Sequence, residues 1–329
     1  MASSETAAPL LKDLTIGNIT QNVHLVNSGC PNPRFKYILE RLVTHVHDFA
    51  RETRLSTKEW MLGIEFLTAV GQISSPIRQE FVLLSDVLGL SLLVDSIDHP
   101  KPSNSTEGTV LGPFHTDDAE IGQHGSEISH DPDGEPCLVL CSIKDMAGNP
   151  IPDVKVDTWE TDSKGFYDVQ YAGRSKPDGR AVFTSDVNGN FWFKAIVPVP
   201  YPIPHDGPVG RLLKALHRHP YRPAHMHFMF EKPGFDHLIT SLFVRNDPYE
   251  TSDAVFGVKN SLVIDVGYVT KEQAETYGCS EGTRLVSYDF TLVSEEEALA
   301  LREKNAQSAM EQLGMRMALQ EGLPVPAVD

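Results

Sequence analysis

AHMHFMF, residues 224–230, is the stretch on which the fold turns. Successive residues of a strand point to opposite faces, so His225 and His227 share one face while Met226 and Phe228 turn to the other. Pro220 and Pro223 stiffen the entry to the strand, so both imidazoles can be held with little loss of freedom on binding. Two imidazoles on one face are what a metal site requires. An HxH pair also occurs among ordinary packed strand histidines, so at this point both readings stand. His205, His217, His219 and His237 share no periodicity with the pair and read as polar loop residues.

Strand-like runs broken by turn residues flank this segment from about residue 110 onward. They include CLVLCSIKD (137–145), VKVDTWET (154–161), NFWFKAIVP (190–198), LITSLFV (238–244) and RLVSYDFTL (284–292). This density of short strands predicts a β-sandwich or barrel, and an antiparallel β-sandwich is expected over residues 111–293. Asn188-Gly189 predicts a hairpin, because both residues tolerate positive φ. Cys137 and Cys141 fall on one face of a strand and read as packing residues; with Cys30 and Cys279 they are expected to be free thiols.

The period lengthens on either side. Phe35, Ile38, Leu39, Leu42, Val46 and Phe49, then Trp60, Ile64, Leu67 and Val70, recur at helical spacing. RQEFVLLSDVLGLSLLVDSID (78–98) is apolar on most faces, as for a helix buried between elements or at a subunit interface. Residues 1–110 are thus expected to form a helical dimerisation domain. Ser294 and Glu297 make a capping box ahead of a final helix in residues 294–329, and LPVPAVD after Gly322 reads as a loose end. The fold class is α+β.

Lys and Arg minus Asp and Glu gives 28 − 45 = −17, a field that repels nucleic acid and anionic lipid. No run of about 18 apolar residues is present to span a bilayer, and the N-terminus lacks a charged segment followed by an apolar one. A cytoplasmic protein is expected, so the sequons at Asn18 and Asn104 carry no weight.

Two tyrosines add to the histidine pair. Tyr167 follows the turn Ser163-Lys164-Gly165 in KGFYD, and Tyr201 sits in the proline-rich IVPVPYPIP (196–204). The GFY turn, the proline-flanked tyrosine and RPAHMH together resemble the intradiol ring-cleavage dioxygenases. VLGPFH (110–115) and DPYETSDAVFGVKNSLV (247–263) fall in the same order and spacing, and the resemblance runs from about Lys58 to Val293. It implies one non-haem ferric ion per subunit, bound by Tyr167, Tyr201, His225 and His227. Phenolates are hard anionic donors that favour Fe(III), and imidazoles suit most first-row metals. It further implies that Tyr201 also acts as proton acceptor, that the aromatic ring rather than dioxygen is activated, and that both oxygen atoms enter a dicarboxylate. Arg222 is the implied cation near the reacting carbon, with a structural ion pair as its bland alternative.

Within that family EFVLLSDVLGLSLLVD and VLGPFH are most similar to the hydroxyquinol 1,2-dioxygenases and their fungal catechol-cleaving relatives. Asp86 is the candidate acceptor for a third ring hydroxyl, against the alternative of a helix-surface or arginine-paired aspartate. Leu83, Val110, Gly112, Pro113 and Phe114 are candidate walls by resemblance. Ser241 stands where many catechol enzymes carry glutamine, which implies a roomier pocket. The expected substrate is hydroxyquinol, cleaved to maleylacetate, with catechol cleaved to cis,cis-muconate as the alternative. The resemblance also implies a homodimer that can hold a lipid between subunits. Two rivals remain at this stage: a zinc or ferrous enzyme using HxH with a carboxylate such as Asp247, and a non-catalytic binding module.

Overall fold

The computed structural model describes residues 11–75, 78–174, 176–320 and 322–326. The chain divides into two compact units, one running up to Leu67 together with the chain from Glu303 onward, the other spanning Thr68–Arg302. The helices are α1 (Ile19–Val26), α2 (Pro33–Glu52), α3 (Thr57–Ile73), α4 (Glu80–Val87), α5 (Leu90–Asp98), α6 (Pro208–Ala215), α7 (Lys271–Tyr277) and α8 (Glu295–Gln312). α2 begins with Pro33 in its first turn and Asn32 as cap, the Asn32 side chain accepting from the Phe35 amide at 2.9 Å. The capping box of α8 forms as expected: Ser294 Oγ accepts from the Glu297 amide at 3.2 Å, and Glu297 accepts from the Ser294 amide at 3.0 Å. The apolar stretch 78–98 is not one helix but α4 and α5, broken at Leu88-Gly89.

The strands are β1 (Pro136–Lys144), β2 (Lys155–Trp159), β3 (Arg180–Thr184), β4 (Asn190–Ile196), β5 (Tyr201–Pro202), β6 (Tyr221–Arg222), β7 (His225–Glu231), β8 (Leu238–Val244), β9 (Val263–Ile264), β10 (Gly267–Tyr268), β11 (Arg284–Thr291), β12 (Met317–Gln320) and β13 (Leu323–Pro326). One sheet has the order β10-β11-β1-β4 and the other β3-β2-β7-β8-β9. Met226, Phe228 and Phe230 of β7 share one buried cluster with Val139, Cys141 and Phe193 of the facing sheet, so the expected sandwich forms. Most pairings are antiparallel, but β1–β11 and β8–β9 are parallel. Cys137 and Cys141 both point into this core, where burial pushes the Cys137 thiol up to about 12 and that of Cys141 up as well.

Two local expectations are corrected. Asn188-Gly189 does not close a hairpin, because β3 and β4 belong to different sheets. The turn instead carries the chain across the sandwich, with the Asp186 carboxylate accepting from the Asn188 and Asn190 amides, each at 2.8 Å. Positive φ makes a tight turn without dictating which partners its flanking strands take. The tail 323–326 is not loose but pairs antiparallel with β12, in a two-stranded ribbon of the kind where proline is admitted at an edge. Residues 327–329 lie outside the described residues.

No helix among the described residues is long and apolar enough to cross a membrane. Gly189 adopts φ 74, and a Cβ there would stand 2.4 Å from the Ile143 carbonyl oxygen. The left-handed backbone alone costs an alanine about 1–2 kcal/mol, and the overlap adds to it. Gly189→Ala should therefore lower unfolding free energy by more than about 2 kcal/mol in urea titration; a change within error would show that the crossing turn yields freely.

Candidate metal centre

β7 is the middle strand of its sheet, and its second face is buried too. Met226, Phe228 and Phe230 fill the sandwich, which turns His225 and His227 to the opposite side, where they are 2% and 1% exposed. His225 Nδ1 lies 2.7 Å from Pro223 O. A carbonyl only accepts, so Nδ1 carries the proton and Nε2 presents a lone pair. His227 Nδ1 lies 2.9 Å from Ser241 Oγ, directly across the β7–β8 ladder, and can present its own Nε2 lone pair by donating there. The two Nε2 atoms are 3.0 Å apart. Trp159, paired with His227 across the β2–β7 ladder, stacks on its ring with centroids 4.7 Å apart and planes 5° off parallel.

The tyrosines reach the same place from loops. Asp162 accepts from the Lys164 and Phe166 amides and shapes the turn before Tyr167. Gly165 lets this turn lie against the proline-rich loop, since a Cβ there would fall 2.8 Å from Tyr201 Cβ. The Tyr167 hydroxyl lies 3.2 Å from that of Tyr201. Tyr201 is cross-strand to Arg222 on β5 and β6, and its ring is 5.4 Å from that of His225.

All four groups resist charge. Burial raises Tyr167 well above the usual phenol range, helped by its neighbour Tyr201; burial also raises Tyr201, opposed by Arg222. Burial, then Arg222, lowers His225 to about 3, and burial with His225 beside it also holds His227 well below the usual imidazole range. Neutral imidazoles are ready to donate lone pairs, and the phenols would release their protons to water or another base only if a strong Lewis acid among them stabilised the phenolates. The two Nε2 atoms stand close enough together for one ion to be reached by both. The donor set therefore fits a hard, high-charge cation. Among the described residues no three His, Cys, Asp or Glu side chains gather to hold a metal, so a site here must use the tyrosines. Asp247 accepts from the Ala224 and Tyr249 amides and is occupied as a backbone tie.

Arg222 is 2% exposed and pairs with Asp253, Nε donating to Oδ1 at 3.1 Å and Nη2 to Oδ2 at 3.2 Å. Asp253 also accepts from the Val255 and Gly257 amides. The ion pair expected as the alternative for Arg222 is thus present, with the guanidinium cross-strand to Tyr201. Asp253 was not singled out by the sequence, although it lies inside DPYETSDAVFGVKNSLV. Arg180 plays a parallel role on the other side: its Nε donates to both oxygens of Asp168 at 3.1 Å and its Nη2 to Phe114 O at 3.1 Å, tying the Tyr167 turn to the VLGPFH segment.

Leu83, Val110 and Phe114 belong to the buried cluster that contains Tyr167 and Tyr201, and Phe114 stacks on Tyr167 at 4.7 Å. Leu83, Pro113 and Phe114 also line a cavity of about 600 Å³ shared with Phe166, Val169 and Ile203. Gly112 lies beside His227, a Cβ there standing 3.9 Å from Nε2. Asp86 is 3% exposed on α4; burial raises its pKa, against a Ser91 hydrogen bond and the field of Arg222. Ser241 is wholly buried behind His227, where its hydroxyl orients the imidazole. His205, His219 and His237 do not join the donors: His205 bonds Ile203 O and His219 bonds Ser252.

Residues 110–294 match the family model described as "Dioxygenase", and residues 32–106 the one described as "Catechol dioxygenase N terminus". Over 329 residues, 100% of both chains, the protein is 67% identical to the intradiol ring-cleavage dioxygenase hqdA of Aspergillus niger. The chain belongs to the intradiol ring-cleavage dioxygenases. This dioxygenase is therefore an oxidoreductase, which removes the binding-module alternative. It is also 46% identical over 275 residues to the 6-chlorohydroxyquinol 1,2-dioxygenase of Cupriavidus pinatubonensis, covering 84% of this chain and 96% of the relative. A crystal structure of hydroxyquinol 1,2-dioxygenase from Pseudomonas putida superposes with a TM-score of 0.79 at 41% identity, covering 85% of this chain and 99% of that one.

In this dioxygenase Asp253 should be worth most at neutral pH. Burial raises its pKa but Arg222 outweighs it, leaving Asp253 below the usual carboxylate range. The pair's contribution is therefore complete above the unfolded value of about 3.9 and fades as pH falls through the lower folded one. Asp253→Asn should lose about 3 kcal/mol of stability at pH 7, and the gap to wild type should narrow below about pH 4 in pH-dependent urea unfolding. A gap that stays constant into acid would discount the ion pair.

Proposed function

We propose that this dioxygenase cleaves hydroxyquinol between its two adjacent hydroxylated carbons to give maleylacetate, using dioxygen and one ferric ion per subunit held by Tyr167, Tyr201, His225 and His227. The observation that carries the proposal is the meeting of two phenols and two neutral imidazoles in one buried cluster, with a permanently charged arginine and a buried carboxyl beside it. Bound there, a ferric ion supplies Lewis acidity and a one-electron acceptor for an adjacent diol.

The chain's own groups do the rest. Tyr201 is the proton acceptor: its oxygen, beside Arg222, takes the proton that one substrate hydroxyl must lose. Arg222 is held charged by Asp253 despite full burial, so it meets negative charge developing on the ring without solvent reorganisation. Leu83, Val110, Gly112, Pro113 and Phe114 exclude water around the ring. Asp86 is the partner of the third hydroxyl, and a ring lacking it leaves the buried carboxyl with Ser91 alone. Catechol, giving cis,cis-muconate, is the poorer substrate on this reading. Ser241 acts through His227 rather than as a wall.

The helical residues 1–110 serve dimerisation, with Leu83, Asp86 and Val110 at their end also facing the substrate, residues 111–293 hold the metal centre, and residues 294–329 supply the terminal helix and tail. Phe35, Ile38, Leu42, Val46 and Phe49 of α2 are each about half exposed, an apolar face that a second copy, with a lipid between, would cover. The protein is assigned to the cytoplasm.

Iron-loaded protein should show a burgundy tyrosinate-to-iron absorption, weakened and shifted in Tyr167→Phe or Tyr201→Phe and lost when both are replaced. A colourless, zinc-loaded and fully active preparation would overturn the ferric reading. Arg222→Ala should lower kcat at least a hundredfold with iron content nearly unchanged; equal losses in both would reduce Arg222 to a structural group. Hydroxyquinol should exceed catechol in kcat/KM, and Asp86→Ala should cut that ratio at least tenfold. A ratio unmoved by Asp86→Ala would remove Asp86 from recognition.

A further inference from the structure

Arg218 leaves α6 through a tight reversal. Its amide donates to Leu213 O at 2.9 Å and that of His217 to Lys214 O at 3.1 Å, the bond pair of a Schellman ending. His217 occupies the left-handed position, at φ 53, where glycine is usual. The reversal aims the Arg218 side chain at two neighbouring segments. Its Nη1 donates to Val87 O at 2.7 Å and its Nη2 to Ala254 O at 2.8 Å, while its Cζ stacks 4.9 Å from the Phe256 ring centroid.

Each contact is on a segment that bears on the substrate. Val87 ends α4, where the last carbonyls have no intrahelical donor and a cation is favoured; Asp86 is the residue before it and Leu83 is one turn back. Ala254 and Phe256 belong to the loop 253–257 whose Asp253 grips Arg222. Phe256 itself sits at φ 61, a backbone state that a bulky residue keeps only when its surroundings enforce it. One guanidinium thus joins the wall carrying Asp86 to the loop that sets Arg222.

We propose that Arg218 is a positioning residue that fixes the spacing between Asp86 and Arg222, and so gives the enzyme its preference for a ring with a third hydroxyl; this rests on the hydroxyquinol reading above. A hydrogen bond weakens steeply once donor and acceptor drift past about 3.5 Å. A small outward shift of α4 therefore costs the third hydroxyl its partner while leaving the two chelating hydroxyls where they are. Arg218 touches none of the four donor residues, so iron binding does not depend on it.

The test compares kcat/KM for hydroxyquinol and catechol in the iron-loaded full chain, with the tyrosinate absorption and iron content measured on every sample. Arg218→Met should lower the hydroxyquinol-to-catechol ratio at least fivefold, chiefly through KM for hydroxyquinol, with iron content unchanged. In an Asp86→Ala background the same substitution should move the ratio less than twofold. If Arg218→Met does not fold, Arg218→Lys, which keeps the charge but cannot span both carbonyls in one plane, should still lower the ratio at least threefold. A high wild-type ratio left within twofold by the folded variant, or a full effect persisting without Asp86, would overturn the clamp alone. A wild-type ratio near one would overturn the substrate reading and the clamp with it.

Discussion

Strand β7 is buried on both faces, and the rest of the structure is arranged around that constraint. One face supplies Met226, Phe228 and Phe230 to the sandwich core; the other supplies His225, His227 and Met229 to the cluster around the tyrosines. A strand fastened on both sides cannot slip by one residue without driving two histidines into a phenylalanine core and phenylalanines into the site. The ladder partners follow from the same register: Trp159 on β2 and Ser241 on β8 stand opposite His227, one stacking on its ring and the other bonding its far nitrogen.

Around this strand the loops are tied by buried charge. Arg180 with Asp168 stands next to Tyr167, and Arg222 with Asp253 stands cross-strand to Tyr201. Buried ion pairs add little net stability, since desolvation offsets most of their attraction, but breaking one leaves a bare charge in a dry interior. Their consequence is geometric: each pair allows only one arrangement of the segments it joins. The two phenols meet because their loops have been pinned to it.

The same burial explains the electrostatics. Dry surroundings keep the phenols protonated and the imidazoles neutral, while Arg222 keeps its charge because Asp253 is paired with it. Four groups that avoid charge thus stand beside a cation that cannot lose its own.

Local periodicity was enough to read the β7 alternation, the shared face of His225 and His227, the inward cysteines and the Ser294–Glu297 cap, because each depends on residues a few positions apart. The four donors became legible as a set only through ordered motifs and their resemblance to a family. What no local pattern contains is the choice of partner across the fold. The passage of β4 to the opposite sheet after Asn188-Gly189, the parallel docking of β11 on β1 and the pairing of the 323–326 tail all turn on which edges are free when the sandwich closes. Asp253, Ser241 and Arg218 gain their roles in the same way: a buried guanidinium, imidazole or helix-end carbonyl must find a polar partner, and only the folded chain determines which one lies within reach.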